Sequence, residues 1–110
     1  MSMPELRQDG DNTWRLILSS EFPDYGYDLA WLMDNKKFFS KLEESEAKKL
    51  VIDLSDVERL DSQGLLFLLT THQKATGSNI RVALRNPSSH MVRLLRIMSF
   101  DRIFDIEFSN

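Results

Sequence analysis

The hydrophobic spacing changes from that of a strand to that of a helix within residues 50–69. Leu50-Val51-Ile52 is a short apolar run rich in β-branched residues, and Leu54 extends it, which predicts a buried strand. After Asp61-Ser62, leucines recur at helical spacing, at Leu65, Leu66, Leu68 and Leu69. The pattern therefore predicts a strand, a loop and a helix in close succession, with Ser62 at the helix N-terminus.

Two strands and a helix are predicted before this region. A short edge strand is expected around Leu6, and residues 13–18 have the composition of a second strand. The turn-forming residues 9–12 between them predict an antiparallel hairpin. Residues 28–46 then predict a helix, with apolar side chains at helical spacing.

Two more strands and a helix are predicted after it. The second helix should end near Ala75, with Gly77 in a left-handed cap, before a strand over residues 80–84. Ser88 or Ser89 is expected to cap a third helix. Residues 106–108 are expected to form a last short strand. Met91, Leu94, Leu95 and Met98 form one apolar stripe on that third helix, and such a stripe is more often part of the core than a docking face.

The predicted order of elements is β, β, α, β, α, β, α, β. Strands that alternate with helices favour parallel neighbours joined by crossover helices, and the opening hairpin adds antiparallel pairing. We therefore predict an α/β fold with a mixed sheet and flanking helices. No repeat or linker divides the chain, so residues 1–110 are expected to form a single domain.

Composition narrows the function classes. The 110 residues carry a net charge of −3 and no obviously basic face, so nucleic acid is not an expected partner. The absence of cysteine excludes disulfides and thiolate catalysis. The apolar run 65–69 is too short to cross a membrane, and residues 1–10 lack the apolar region of a secretion signal. We expect a cytoplasmic protein without membrane insertion.

The strand-to-helix region resembles the signature of a known family. Residues 50–65, Leu-Val-Ile-Asp-Leu-Ser-Asp-Val-Glu-Arg-Leu-Asp-Ser-Gln-Gly-Leu, are similar to the STAS domain (sulphate transporter and anti-sigma factor antagonist). In that family an apolar strand leads into Asp-Ser-x-Gly-Leu at a helix start. The likeness extends over roughly residues 50–108, through Gly77, an apolar strand and Asn86-Pro87. It implies the same mixed sheet with flanking helices.

Ser62 is the candidate site residue. A serine at a helix start is most often a plain N-cap, and Asp61 can fill that role instead. The resemblance implies that Ser62 is the phosphate acceptor of an anti-sigma factor antagonist. Such a protein binds an anti-sigma factor or switch-protein kinase when the serine is free, and releases it when the serine is phosphorylated. A serine phosphatase resets it.

Residues around Ser62 are the expected partner contacts. Gly64 lacks a β-carbon and should leave the helix start open to a partner. Phe67 lies off the leucine stripe, so we expect it to be exposed as a contact. With the charged loop residues, the predicted partner-binding set is Asp56, Arg59, Asp61, Ser62, Gln63, Gly64 and Phe67.

Other functions are less well supported by the sequence. A STAS module that serves as an adaptor without a phosphorylation switch is the main alternative. A hydrolase is disfavoured because His72 lies ten residues along the same helix as Ser62, about 15 Å away, and His90 lies on another helix. The carboxylates Asp53, Asp56 and Asp61 match no calcium-loop spacing. We expect no catalytic residue, metal or cofactor, and homo-oligomers remain open.

Overall fold

The structure is a computed structural model that describes residues 5–18 and 36–109, except for the side chains of Lys36, Lys37, Phe38 and Gln63. Five strands, three α-helices and one 3₁₀ helix are formed by these residues. In chain order they are β1 (Glu5–Gln8), β2 (Thr13–Ile17), α1 (Lys36–Glu44), β3 (Lys49–Asp53), α2 (Ser62–Gly77), β4 (Arg81–Arg85), α3 (Ser89–Ile97), the 3₁₀ helix (Phe100–Arg102) and β5 (Asp105–Glu107).

The strands form one mixed sheet in the order β1-β2-β3-β4-β5. β1 and β2 pair antiparallel as the predicted hairpin, and every later neighbour pairs parallel. This confirms the predicted α/β fold class. Of the predicted helix over residues 28–46, the part before residue 36 lies outside the described residues.

One face of the sheet carries the core. Leu16, Ile52 and Leu84 stand in register on β2, β3 and β4 and are almost completely buried. The helices cover this face with fully buried side chains, namely Leu42 of α1, Phe67 and Leu68 of α2, and Met91 and Leu95 of α3. Among the described residues, none of the helices has the length and apolar content needed to cross a membrane.

The opposite face of the sheet carries a network of six charged side chains. Because side chains alternate between faces along a strand, Arg15 and Arg85 point away from the helix-covered core. The ion pairs are Arg15–Asp53 at 3.5 Å, Arg15–Asp9 at 3.9 Å, Arg85–Asp9 at 3.4 Å, Arg85–Glu107 at 3.4 Å, and Lys49–Glu107. We call Asp9, Arg15, Lys49, Asp53, Arg85 and Glu107 the charged network.

The C-terminal cap of α2 differs from the prediction. Gly77 is the last helical residue, and the left-handed residue is Asn79, with φ at 59°. The Ile80 N–H donates to Ala75 O at 2.8 Å and the Asn79 N–H donates to Thr76 O at 3.0 Å, which is the Schellman pattern. The prediction of Gly77 as the left-handed cap was therefore wrong, because the helix runs two residues further than expected and asparagine also tolerates this conformation.

Candidate functional site

The loop that joins β3 to α2 is held by buried side chains that alternate with exposed ones. Leu54, Val57 and Leu60 are buried in the core and fix the path of the loop. Asp56 and Arg59 lie between these anchors and are exposed. The loop lies at the carboxyl end of a parallel strand, which is where α/β proteins most often place their binding residues.

Asp61 is the N-cap of α2. One of its carboxylate oxygens, Oδ1, accepts a hydrogen bond from the Gly64 N–H at 2.8 Å, and its backbone carbonyl accepts from the Leu65 N–H at 3.0 Å. Ser62 is therefore the first helical residue and its side chain is not needed as a cap. Ser62 is exposed, and within the described part of the chain its hydroxyl makes no hydrogen bond.

Two nearby serines differ from Ser62 because their hydroxyls are engaged. The Ser55 hydroxyl donates to Asp53 Oδ1 at 2.6 Å and accepts from the amide of Asn86 at 3.1 Å. The Ser88 hydroxyl donates to the Glu58 carbonyl at 3.1 Å and accepts from the Met91 N–H, in the first turn of α3, at 3.2 Å. Both hydroxyls stabilise the site, whereas that of Ser62 is available to a partner or an enzyme.

Asn86 holds the segments around the site together, a role that the sequence analysis did not assign. Its side-chain nitrogen donates to Ser55 Oγ at 3.1 Å and to Ser109 Oγ at 2.7 Å, and its side-chain oxygen accepts from the Ser109 N–H at 2.8 Å. Its backbone N–H donates to Glu107 O at 2.8 Å. The signal in the sequence was an asparagine directly after a strand, because asparagine tolerates the left-handed conformation found in turns.

Two of the predicted contacts are not on the surface. Phe67 is completely buried, so the prediction of an exposed contact was wrong. Gly64 is also buried, and its N–H is bound by the cap, so it does not open the helix start to a partner. The buried face of α2 passes through both residues, which lie three apart on one side of the helix.

Leu66 is the exposed apolar residue that the sequence analysis missed. Its side chain is 44% exposed, and it lies one turn after Ser62 on the same side of α2. A weak signal was present, because one of four closely spaced leucines must point away from a single buried stripe. We call the exposed residues Asp56, Glu58, Arg59, Asp61, Ser62 and Leu66 the loop surface.

The loop surface is acidic. Asp56, Glu58 and Asp61 are opposed only by Arg59 within it, which leaves two negative charges in excess. No group of three or more metal-ligating side chains occurs among the residues that the structure describes. Hydrogen bonds in the turn after β3 account for the side chain of Asp53. Its Oδ1 accepts from both the N–H and the hydroxyl of Ser55.

The two histidines lie outside the loop surface. The ring of His72 lies edge-on to Phe104, with 5.1 Å between ring centroids, and its Nε2 lies 3.4 Å from the Thr76 hydroxyl. His90 is exposed in the first turn of α3. Since the described contacts of His72 lie towards the far end of α2 from Ser62, the geometry gives no support to a catalytic serine–histidine pair.

Comparison with protein families gives a match over most of the chain. A model of the STAS domain matches residues 34–110. A STAS-domain containing protein of Pseudomonas aeruginosa (strain UCBPP-PA14) is 34% identical over 59 residues, which are 54% of this chain and 58% of that protein. The match thus spans little more than half of that relative.

Solved structures share the fold. SpoIIAA, a Bacillus cell fate determinant, matches in its phosphorylated form with a TM-score of 0.68 at 15% identity, over 98% of this chain and 92% of that one. The anti-sigma factor antagonist SpoIIAA in its unphosphorylated form gives 0.60 at 15% identity, over 92% and 97%. The solution structure of TM1081 from Thermotoga maritima gives 0.67 at 23% identity, over 96% and 81%.

Proposed function

The chain belongs to the STAS domain family, and from this premise we propose that it is an anti-sigma factor antagonist that acts in the cytoplasm by binding proteins, without catalysis. It binds an anti-sigma factor or switch-protein kinase while Ser62 is unmodified. It releases that partner once the kinase has phosphorylated Ser62, and a serine phosphatase restores the binding form. The structural likeness to SpoIIAA supports this kind of function.

The free hydroxyl of Ser62 is the observation that carries the proposal. A kinase needs a serine side chain that it can reach without first breaking the local structure. Asp61 already caps α2, so the hydroxyl of Ser62 can be modified without the loss of a helix cap. The hydroxyls of Ser55 and Ser88, in contrast, would each have to give up a hydrogen bond to another segment.

Charge and desolvation explain how phosphorylation releases the partner. A phosphate adds about −1.5 to −2 charges to a loop surface that is already acidic. The carboxylate of Asp61 already accepts the Gly64 N–H, so the first turn of α2 offers the phosphate less compensation. A loss of about 2–4 kcal/mol in binding free energy would lower the affinity by roughly 30- to 1,000-fold.

The site of phosphorylation tests this proposal. After incubation with ATP and the serine-kinase anti-sigma factor of the same organism, we expect one phosphate per chain by intact mass, and peptide mapping should place it on Ser62. Ser62→Ala should abolish the modification. Ser55→Ala and Ser88→Ala are the matched controls and should retain it. Undiminished phosphorylation of Ser62→Ala would refute the proposed acceptor.

The alternative within the same family is an adaptor whose binding is not switched. Its support is that the exposed Leu66 and the charged loop form a contact surface with or without a phosphate. Ser62→Asp separates the two functions, because an acidic residue in the first turn favours the helix and should not unfold it. A switched protein loses its partner in this variant, whereas an adaptor keeps it.

A further inference from the structure

The outer side of α3 carries exposed apolar side chains that the core does not use. Met91 and Leu95 are fully buried and attach the helix to the sheet. Ile97 is 73% exposed, and Phe108, which follows β5, is 69% exposed. Exposed large apolar side chains that lie together are typical of binding surfaces.

These side chains line a single groove. Pro87, Val92, Ile97 and Phe108 form its apolar lining, and its volume is about 520 Å³. Val92 is half-buried, so the groove has a floor as well as exposed walls. A groove of this volume is large enough to hold apolar side chains of a bound segment.

The polar lining of the groove is positively charged. Arg93 and Arg96 line it and are exposed, and no acidic residue lines it among the residues that the structure describes. Neither arginine forms an ion pair within the described part of the chain. A guanidinium group beside apolar surface binds carboxylates with good geometry. The groove therefore combines apolar contacts with a preference for negative charge.

We propose that this groove binds an acidic amphipathic segment of a partner protein, with its apolar side chains against Ile97 and Phe108 and its carboxylates at Arg93 and Arg96. A second copy of this chain is a poorer occupant in a twofold arrangement, because the same two arginines of each copy would face one another. The proposal does not depend on phosphorylation of Ser62.

The groove begins close to the loop surface. Ser88, the N-cap of α3, donates its hydroxyl hydrogen to the Glu58 carbonyl at 3.1 Å, so the first turn of α3 adjoins the loop. A partner can thus contact both surfaces, an acidic segment in the groove and its main domain on the loop. A contact of this small size alone is expected to be weak and transient.

The test uses a defined probe with the full chain. A fluorescein-labelled helical peptide of about 16 residues carries leucines at positions i, i+3, i+4 and i+7, with glutamate at the flanking polar positions. A second peptide has lysine at those positions. We expect the glutamate peptide to bind at least about tenfold more tightly by fluorescence anisotropy, with an affinity that falls as salt rises. Amide NMR shifts should map to α3 and Phe108.

Variants locate the site. Phe108→Ser should weaken binding of the glutamate peptide by about tenfold, and Arg93→Gln with Arg96→Gln should remove most of its salt dependence. Ile103→Ser and Arg102→Gln are matched controls on exposed residues outside the groove and should bind within about twofold of wild type.

Three results would overturn the proposal. The first is equal affinity for the glutamate and lysine peptides, or no binding of either. The second is a wild-type dimer in sedimentation equilibrium that Phe108→Ser converts to a monomer, since the occupant would then be a second copy. The third is a peptide affinity that Phe108→Ser and the Arg93→Gln, Arg96→Gln variant both leave unchanged, since the peptide would then bind elsewhere on the chain. An unchanged affinity in Ser62→Asp would support a groove that works separately from Ser62.

Discussion

Asn86 shows how one residue can hold the candidate site in place without forming part of the loop surface. Its backbone has φ at 57°, a conformation that costs most residues about 1 kcal/mol or more. Its amide bonds to Ser55 and Ser109 offset that cost and join the loops that follow β3, β4 and β5. An apolar or β-branched residue would neither tolerate the left-handed backbone nor make the hydrogen bonds to Ser55 and Ser109.

The first prediction at the residue scale concerns Asn86. We expect Asn86→Gly to lower the free energy of unfolding by about 1–2 kcal/mol, because it loses the side-chain hydrogen bonds but keeps the conformation. Asn86→Ala should cost about 1 kcal/mol more, since it also strains the backbone. Urea denaturation gives both values. The reverse order, with alanine the more stable variant, would show that the backbone conformation is not limiting.

The sequence predicted correctly that Ser62 lies at a helix start, but it missed the role of Asn86. Ser62 and Asp61 are local features, and capping depends on residues within one turn. The contacts of Asn86 reach Ser55 and Ser109, 31 and 23 residues away, and no spacing rule predicts them. Distant contacts depend on how the strands are arranged, which only the fold provides.

Helix faces and helix ends were the features that the sequence predicted least well at the scale of single elements. In α2 four leucines surround Phe67, so apolar character alone did not decide which residues face the core. The buried side of the helix passes through Gly64, Phe67, Thr71 and Ala75, which recur at helical spacing. This is why Phe67 is buried and Leu66 is partly exposed.

The end of α1 supports a prediction at the element scale. The Ala47 N–H donates to Leu42 O at 3.0 Å and the Glu46 N–H donates to Glu43 O at 3.1 Å, so α1 ends in a Schellman motif. Its left-handed residue is Glu46, with φ at 56°, where glycine is the preferred residue.

We therefore expect Glu46→Gly to raise the free energy of unfolding by about 1 kcal/mol. Asn79→Gly is the matched control at the same position of α2, and it should gain only a few tenths of a kcal/mol, roughly, because asparagine tolerates the left-handed conformation. Thermal denaturation of the three proteins measures the effect. Equal gains in both variants, or a loss in Glu46→Gly, would contradict the strain at Glu46.

For the whole molecule, the order of elements and the mixed sheet were predictable because they follow from alternating periodicities. The charged network on the sheet was not predictable from the sequence, because its members come from the hairpin turn and from four different strands. Ala83 lies midway in the register between Lys49 and Glu107, and its small side chain leaves room for the two to meet across β4.

The network gives the stability a pH dependence. The hydrogen bond from Lys49 is the main cause that lowers the pKa of Glu107 below its ordinary value, and the charge of Arg85 adds to the effect. A carboxyl whose pKa is lowered in the folded state stabilises the protein at pH values above the pKa that it has in the unfolded chain. That contribution is lost as the pH falls through the lowered value.

We expect Glu107→Gln to be less stable than wild type by about 0.5–1 kcal/mol at pH 7, a modest value because the pair is partly exposed to solvent. The two stability curves should converge as the pH falls below about 4. Glu43→Gln, on the exposed side of α1, is the matched control and should not lower stability at pH 7. A constant difference between Glu107→Gln and wild type from pH 7 to pH 3 would rule out a contribution from ionised Glu107.

The central claim is tested most directly by measuring how tightly the partner binds the chain with phosphoserine installed at position 62. With the anti-sigma factor that binds the unmodified chain, calorimetry should show roughly 30- to 1,000-fold weaker binding of the phosphorylated form. Ser40→Asp, which adds charge on the exposed side of α1, should bind like wild type. Equal affinity of the phosphorylated and unmodified chains, with both correctly folded, would contradict control by Ser62.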